Sequence, residues 1–304
     1  MKLGALSAIL GEQDFESMID TIATMGYRSV EAACWPKEKA ERRYAGICHI
    51  DVKELSAEKA NYYLEYCRQK QVEIAALAYY PNCLSADSEK RGQSIRHLYH
   101  VIDAAALLGC RTVTTFIGRD QTKSIGHNME LFERIWPEII RYAESREVRI
   151  AIENCPMLFD ETQWPGGQNL AVSPSIWREM FRIIPSKYFG ICYDPSHFVW
   201  QQIDYIKPIE EFQDRIFHVH CKDIKVYPEK LKDVGVLAYP LQYMAPKIPG
   251  LGDVRWGTFI SALTDIGYQG NICVEVEDRA FESSSRDVLN ALKLSKRYLD
   301  QFII

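Results

Sequence analysis

Four side chains in the second half of the chain combine oxygen donors with one imidazole: Glu153, Asp194, His220 and Glu275. Each stands at or near the end of a short β-rich run, in RIAIEN, FGICYD, IFHVHC and NICVEVE respectively. Carboxylates with one imidazole make a hard, mixed O/N donor set that suits one divalent cation, Mn²⁺ or Mg²⁺ first, with Co²⁺ and Zn²⁺ admissible. Taken singly, a carboxylate at a strand end is as often solvated, or caps the next helix. Four such groups on successive runs, beside apolar Ile150, Ile152, Val274 and Val276, are harder to place without a cation or a proton, because a buried carboxylate with no partner is costly.

The runs that carry them belong to a longer alternation. Strands are expected at 2–9, 29–34, 73–79, 112–116, 149–154, 189–194, 216–221 and 271–277, and helices at 14–25, 57–70, 94–108, 129–146, 174–184, 205–214, 256–266 and 284–299. Eight such pairs are the pattern of βα units on a parallel sheet. Asp14 with Ser17, Ser56 and Ser173-Pro174 read as helix starts, and Gly26, Gly109 and Gly267 as stops. The first strand is followed by Ile9-Leu10-Gly11-Glu12 and not by a glycine-rich phosphate turn, which favours a (β/α)₈ TIM barrel over an open doubly wound sheet. The expected organisation is one barrel domain over 1–304, with long active-site loops at about 155–173 and 222–255. In such a barrel the four residues converge at the C-terminal face of adjacent strands, where active sites lie.

The bulk numbers narrow the function. A net charge of −5 with scattered lysines offers no basic stripe, so no nucleic-acid partner is expected. Nine cysteines without CxxC pairing read as reduced core thiols. No apolar run approaches the roughly 18 residues of a membrane span, and the N-terminal apolar run reads as a strand, not a signal peptide. No membrane association and a cytoplasmic location are therefore expected.

Other residues carry weaker signals. His218 shares the face of His220 on an alternating strand and reads as a hydrogen-bonded core histidine behind the site. Glu31 reads equally as a hydroxyl contact or an interior polar plug. His49, Trp35, Tyr79, Tyr80, Trp164 and Trp200 fall in strand-to-helix loops, where aromatic faces either pack on sugar rings or anchor the loop. The segment WPGGQN (164–169) could cradle an anion, but no GK[ST] follows. No phosphate cradle is evident, so an unphosphorylated substrate, a sugar or keto-sugar by the resemblance given next, is expected.

The segments IENCPM, YDPSH, HVHCKD, PGLGDVRW and GYQGNICVEVED resemble the xylose isomerase-like TIM barrel, sugar phosphate isomerase/epimerase superfamily over nearly the whole chain. The resemblance implies that Glu153, Asp194, His220 and Glu275 ligate the metal, that Glu153 and Glu275 also move protons, and that His197 and Lys222 contact substrate oxygens. His49 and Trp164 are added as substrate-binding candidates from their loop positions. Arg255 departs from the family, which commonly carries Asp before the Trp. Homo-oligomers are usual among such barrels.

The chemistry so implied is abstraction of a proton beside a carbonyl, with the enediolate stabilised by the metal. One glutamate is the base, and a second returns the proton in an epimerase. Because ligation lowers a carboxylate's basicity, one of the two should be only loosely bound. The alternative is a lyase on the same site, acting on an inosose-like ketone or eliminating from a 3-keto-glycoside. A barrel-type apurinic endonuclease is more remote, and a non-catalytic scaffold is the last option.

Overall fold

The computed structural model describes residues 1–37, 45–158 and 160–303. Ten strands are present among them: β1 Lys2–Leu6, β2 Ser29–Ala33, β3 Glu73–Ala78, β4 Thr112–Thr115, β5 Arg149–Glu153, β6 Phe189–Tyr193, β7 Ile216–Cys221, β8 Asp223–Val226, β9 Met244–Lys247 and β10 Asn271–Val274. Eight close into a parallel barrel in the order β1-β10-β7-β6-β5-β4-β3-β2, while β8 and β9 form a separate antiparallel ribbon. The helices are α1 Phe15–Thr24, α2 Ala57–Lys70, α3 Ser88–Leu108, α4 Ile125–Ser145, α5 Pro174–Ile183, α6 Ser196–Trp200, α7 Lys207–Glu211, α8 Pro228–Val234, α9 Trp256–Asp265 and α10 Ser285–Leu299. The (β/α)₈ TIM barrel expected from the alternation is the fold observed.

Local chemistry explains the boundaries. Asp14 accepts a hydrogen bond from Ser17 N, and Ser56 one from Lys59 N, each satisfying an orphan amide of the first turn. Gly109 ends α3 at φ 70°, a conformation that favours glycine. Helix α3 starts at Ser88 where 94 was expected, more than a turn and a half early, and α4 at Ile125 where 129 was expected, about a turn early. Their caps, Asp87 and Ser124, bind first-turn amides, but the polar first turn SEKRGQ gives no apolar period to read. Strand β1 stops at Leu6 because Ser7–Leu10 winds into a 3₁₀ turn. The helix expected at 205–214 is divided into α7 and a 3₁₀ turn, Gln213–Arg215.

The largest departure lies in the 222–255 connection, which holds the β8–β9 ribbon and α8. Asp223 organises it. Buried at the start of β8, its carboxylate accepts from Ile224 N (2.9 Å), Gly250 N (3.0 Å), Val254 N (3.0 Å) and Trp256 Nε1 (2.9 Å). The loop backbone passes so close that a Cβ on Gly252 would lie 2.1 Å from Asp223 Oδ1. Gly252 is thus explained by approach to this carboxylate, and Gly250 by its φ of 93° and the Tyr298 ring packed against it.

Replacing Asp223 with Asn turns two accepted hydrogen bonds into facing donors. Asp223→Asn is expected to lower the unfolding free energy by about 2 kcal/mol. Urea denaturation should show this as a fall in midpoint at unchanged slope.

Candidate metal centre

Strands β5, β6, β7 and β10 are neighbours in the barrel, so their C-terminal ends form one arc of its rim. Polar side chains lock that arc. Asn154 Oδ1 accepts from Asp194 N and its Nδ2 donates to Asp194 O, both at 2.8 Å, which holds the ends of β5 and β6 together. Asn169, from the following loop, donates to Glu153 O and Cys155 O at 2.8 Å and accepts from Ile117 N at 3.1 Å. Asp194 Oδ1 accepts from Ser196 N (2.8 Å) at the start of α6, so Oδ2 is left to face the barrel axis. Glu275, just past β10, is tied to β7 by its amide, which donates to Cys221 O at 3.2 Å.

Glu153, Asp194, His220 and Glu275 each offer a ligand atom, and these atoms lie within 4.8 Å of one another. His220 Nδ1 is 3.4 Å from both Glu153 Oε1 and Glu275 Oε2. Three of the converging atoms, Glu153 Oε1, Asp194 Oδ2 and His220 Nδ1, are buried and make no hydrogen bond, although Lys222 Nζ (3.2 Å) and His197 Nε2 (3.3 Å) lie within ion-pair reach of Asp194 Oδ2. Such atoms are costly in the interior unless a cation or proton joins them. The donor set and its orphaned atoms therefore fit a divalent ion of the kind that takes oxygen and imidazole ligands.

Glu31, fully buried on β2, fixes the imidazole from behind. Its Oε2 accepts from His220 Nε2 (2.7 Å) and His218 Nε2 (2.9 Å), and its Oε1 from Tyr80 OH (2.7 Å) and Thr114 Oγ1 (2.5 Å). With Nε2 against Glu31 Oε2, Nδ1 faces the two glutamates, and neighbours that include Cys192, Tyr80, Glu31 and Glu153 outweigh burial and hold the His220 pKa well above its ordinary value. That is the arrangement in which an outer carboxylate orients a ligating histidine. Burial alone would raise the Glu31 carboxyl, but His220 and His218 outweigh it and hold it well below the usual range. Of the two readings open for Glu31, the interior polar plug is the one observed.

Lys222 lies between β7 and β8, almost wholly buried. Its Nζ sits 2.8 Å from Glu275 Oε2, 3.1 Å from Glu277 Oε2, 3.2 Å from Asp194 Oδ2 and 3.9 Å from Glu153 Oε1. Burial disfavours the ammonium, yet Glu275, Glu277 and Asp194 more than offset it, and the Lys222 pKa stands well above its ordinary value. The carboxylates divide. Burial would raise Glu153, but His220, His197 and Lys222 pull it down to about 2. Glu275 is likewise held below its usual value, with Lys222 overcoming burial. For Asp194 burial wins, and its pKa is raised.

A cavity of about 400 Å³ opens above these groups. Its floor carries Glu153, His197, Lys222, Glu275 and Glu277, and its walls include Trp35, Tyr80, Phe116, Trp200, Tyr239 and Met244. His197 and Lys222 thus reach the cavity. His49 does not line it: its amide is tied to Ala33 O, and its ring turns to Ser7 Oγ (Nδ1, 2.9 Å) and Leu10 O (Nε2, 3.2 Å). Trp164 stands one layer out, its ring 6.1 Å from that of Trp200 and its Nε1 donating to Leu237 O at 2.7 Å. The Gly166-Gly167 turn packs on backbone; a Cβ on Gly167 would lie 2.2 Å from Pro156 O. Arg255 is exposed outside the cavity at the start of α9. Glu277, Cys155, Asn154 and Asn169 were not singled out from sequence. Glu277 alone had a readable signal, the strand period from Glu275 in VEVED.

A family model described as a xylose isomerase-like TIM barrel matches residues 19–298. The uncharacterized protein YfiH of Bacillus subtilis (strain 168) is 25% identical over 318 residues, covering 96% of this chain and 98% of that protein. An inosose dehydratase of Lactiplantibacillus plantarum is 28% identical over 120 residues, only 39% of this chain and 39% of its own length. Among solved structures, a D-tagatose 3-epimerase-like protein superposes with a TM-score of 0.68 at 21% identity, covering 99% of this chain and 98% of the other. The IOLI protein with a bound zinc atom does so with a TM-score of 0.73 at 17% identity, covering 100% and 98%. At these identities the structural likeness is one of fold. No helix among the described residues is long and apolar enough to cross a membrane.

Because four donors converge on Glu31, Glu31→Ala strands two buried imidazoles and two hydroxyls. It is expected to cost about 3–5 kcal/mol of stability, read as a loss of unfolding free energy in urea.

Proposed function

We propose, for a chain that belongs to the xylose isomerase-like TIM barrel family, that Glu153, Asp194, His220 and Glu275 hold one divalent cation and that the enzyme isomerises or epimerises a sugar or keto-sugar. Mn²⁺ or Mg²⁺ suits the three carboxylates and one imidazole best, and the zinc of the IOLI protein keeps Zn²⁺ and Co²⁺ within the choice. The observation that carries this reading is the placement of two glutamates, each 3.4 Å from the same imidazole nitrogen, at the floor of one cavity. A cation there would supply the positive charge that offsets an oxyanion developing beside the reacting carbon.

The chain's own residues account for the rest. Glu153 and Glu275 both line the cavity; in this reading one removes the proton from the carbon beside the carbonyl and the other returns it on the opposite face, which inverts that carbon. If the same carboxylate delivers the proton to the adjacent carbon, the outcome is isomerisation. Lys222 and His197 stand where they can hydrogen-bond substrate oxygens, and Lys222, kept charged by its carboxylate neighbours, also holds Glu275 in position. The aromatic walls stack on the sugar ring and exclude water. A small-molecule substrate is consistent with a cavity of about 400 Å³.

A lyase reading is favoured by one observation, the inosose dehydratase likeness over part of the chain. It shares the proton abstraction and differs in what leaves afterwards. A panel of keto-sugars and inososes, incubated with the cation-loaded enzyme in D₂O, separates the two: an isomer carrying solvent deuterium supports the isomerase, and an unsaturated product supports the lyase.

Two outcomes are expected of the leading reading. Chelation abolishes turnover, and Mn²⁺ or Mg²⁺ restores it. Glu275→Gln and Glu153→Gln each lower kcat by about 10³-fold and suppress deuterium incorporation at the substrate carbon. Undiminished exchange in either variant removes that glutamate from the proton path.

A further inference from the structure

Away from the cavity floor, two cysteines stand opposite each other at the end of β2. Cys34 pairs with Cys48 in an isolated antiparallel bridge, flanked by hydrogen bonds from Trp35 N to Ile47 O (3.1 Å) and from His49 N to Ala33 O (2.9 Å). Because those bonds join the residues on either side, Cys34 and Cys48 form the narrow, non-hydrogen-bonded kind of antiparallel pair, in which the Cα atoms lie about 4.5 Å apart. Disulfides span Cα separations of about 4.4–6.8 Å. Both cysteines are free, and they are the two of the nine that face each other in a β pairing.

We propose that Cys34 and Cys48 are a reversible thiol–disulfide pair, closed by a low-molecular-weight disulfide and reopened by the corresponding thiol. Access to the two is unequal: Cys34 is fully buried, whereas Cys48 is partly exposed. Cys48 therefore reacts first. Its thiolate attacks one sulfur of the small disulfide and expels one small thiolate, leaving a mixed disulfide. The Cys34 thiolate then attacks Cys48 Sγ and expels the second. The two protein thiols are oxidised, their protons pass to the two departing thiolates, and one small disulfide is reduced to two thiols.

The surroundings hold the pair in register. Cys34 is fixed to the barrel, its amide donating to Ala78 O at 2.9 Å. Lys37 and Asp51, each just beyond one of the cysteines, form an ion pair at 3.3 Å, and the His49 ring is tied to Ser7 and Leu10. Burial pushes the Cys48 thiol up to about 11, with Asp51 adding to it and Lys37 and Lys59 opposing; burial and then Cys48 hold Cys34 well above its ordinary value. Both thiols are therefore protonated at neutral pH, and as high-pKa leaving groups they make the closed bond slow to reopen. Trp35 follows Cys34, Ala45 lies shortly before Cys48, and both line the cavity. With the bond closed that stretch of wall is held covalently; with it open, hydrogen bonds and an ion pair hold it.

The test is incubation of the folded native protein with oxidised glutathione, followed by alkylation in denaturant, intact mass and peptide mapping. A cross-linked peptide joining Cys34 to Cys48, with neither thiol left to alkylate, is expected, and dithiothreitol should restore both thiols. Cys34→Ala should stop at the mixed disulfide on Cys48, and Cys48→Ser should form neither product. Native protein in which both thiols remain open to alkylation overturns the proposal. So does a mixed disulfide on Cys48 that accumulates without the cross-link, or a cross-link from Cys48 to any other cysteine.

Discussion

Mutual repulsion among carboxylates gathered in a barrel mouth is the constraint on which the rest of this structure depends. Glu153, Asp194, Glu275 and Glu277 come from three strand ends onto one small volume around Lys222. Burial weakens their solvation, and close approach raises their mutual energy, so the arrangement stands only if positive charge is supplied. Lys222 supplies part of it. The orphaned oxygens and the imidazole nitrogen mark where more is needed. The proposed cation site, the permanent charge on Lys222 and the opposed shifts of Asp194 and Glu153 are all responses to one electrostatic problem.

Holding those groups in place takes a polar scaffold that does not itself face the cavity. Glu31 sits inside the barrel and gathers β2, β3–α3, β4 and β7 through Tyr80, Thr114, His218 and His220. Asn154 clamps β5 to β6, Asn169 pins the backbone on both sides of Asn154, and Asp223 folds the long loop back beneath α9. Each of these side chains has its hydrogen bonds satisfied by the protein. The inward-facing atoms of Glu153, Asp194 and His220 do not. Satisfied polar groups rigidify, and unsatisfied ones wait for a ligand; the barrel rim separates the two kinds by direction.

The cavity repeats that separation on a larger scale. Charged groups are confined largely to its floor, and aromatic and aliphatic side chains form most of its walls. A substrate with a polar reacting end is oriented by such a partition before any chemistry begins. The fold is similar to that of a 3-epimerase-like protein, and part of the chain to an inosose dehydratase.

The barrel was legible in the sequence because its signals are local. Alternating runs, Asp14 and Ser56 at helix starts, and glycines at helix ends report the identity and order of the elements, since each depends on neighbours within a turn or two. The convergence of Glu153, Asp194, His220 and Glu275 was legible for a related reason: strand ends in a closed parallel barrel share one face, so position along each strand stands in for position in space. Contacts across the barrel were not. Glu31 is 189 residues from His220, Asn169 reaches back past a loop to Glu153 O, and the rings of His49 and Trp164 turn away from the cavity because of partners at Ser7, Leu10 and Leu237. The sequence by itself determined which elements form and which chemical groups arrive at the rim. Only the tertiary structure decided which of those groups meet, because a side chain's direction and partners are set by packing between segments far apart in the chain.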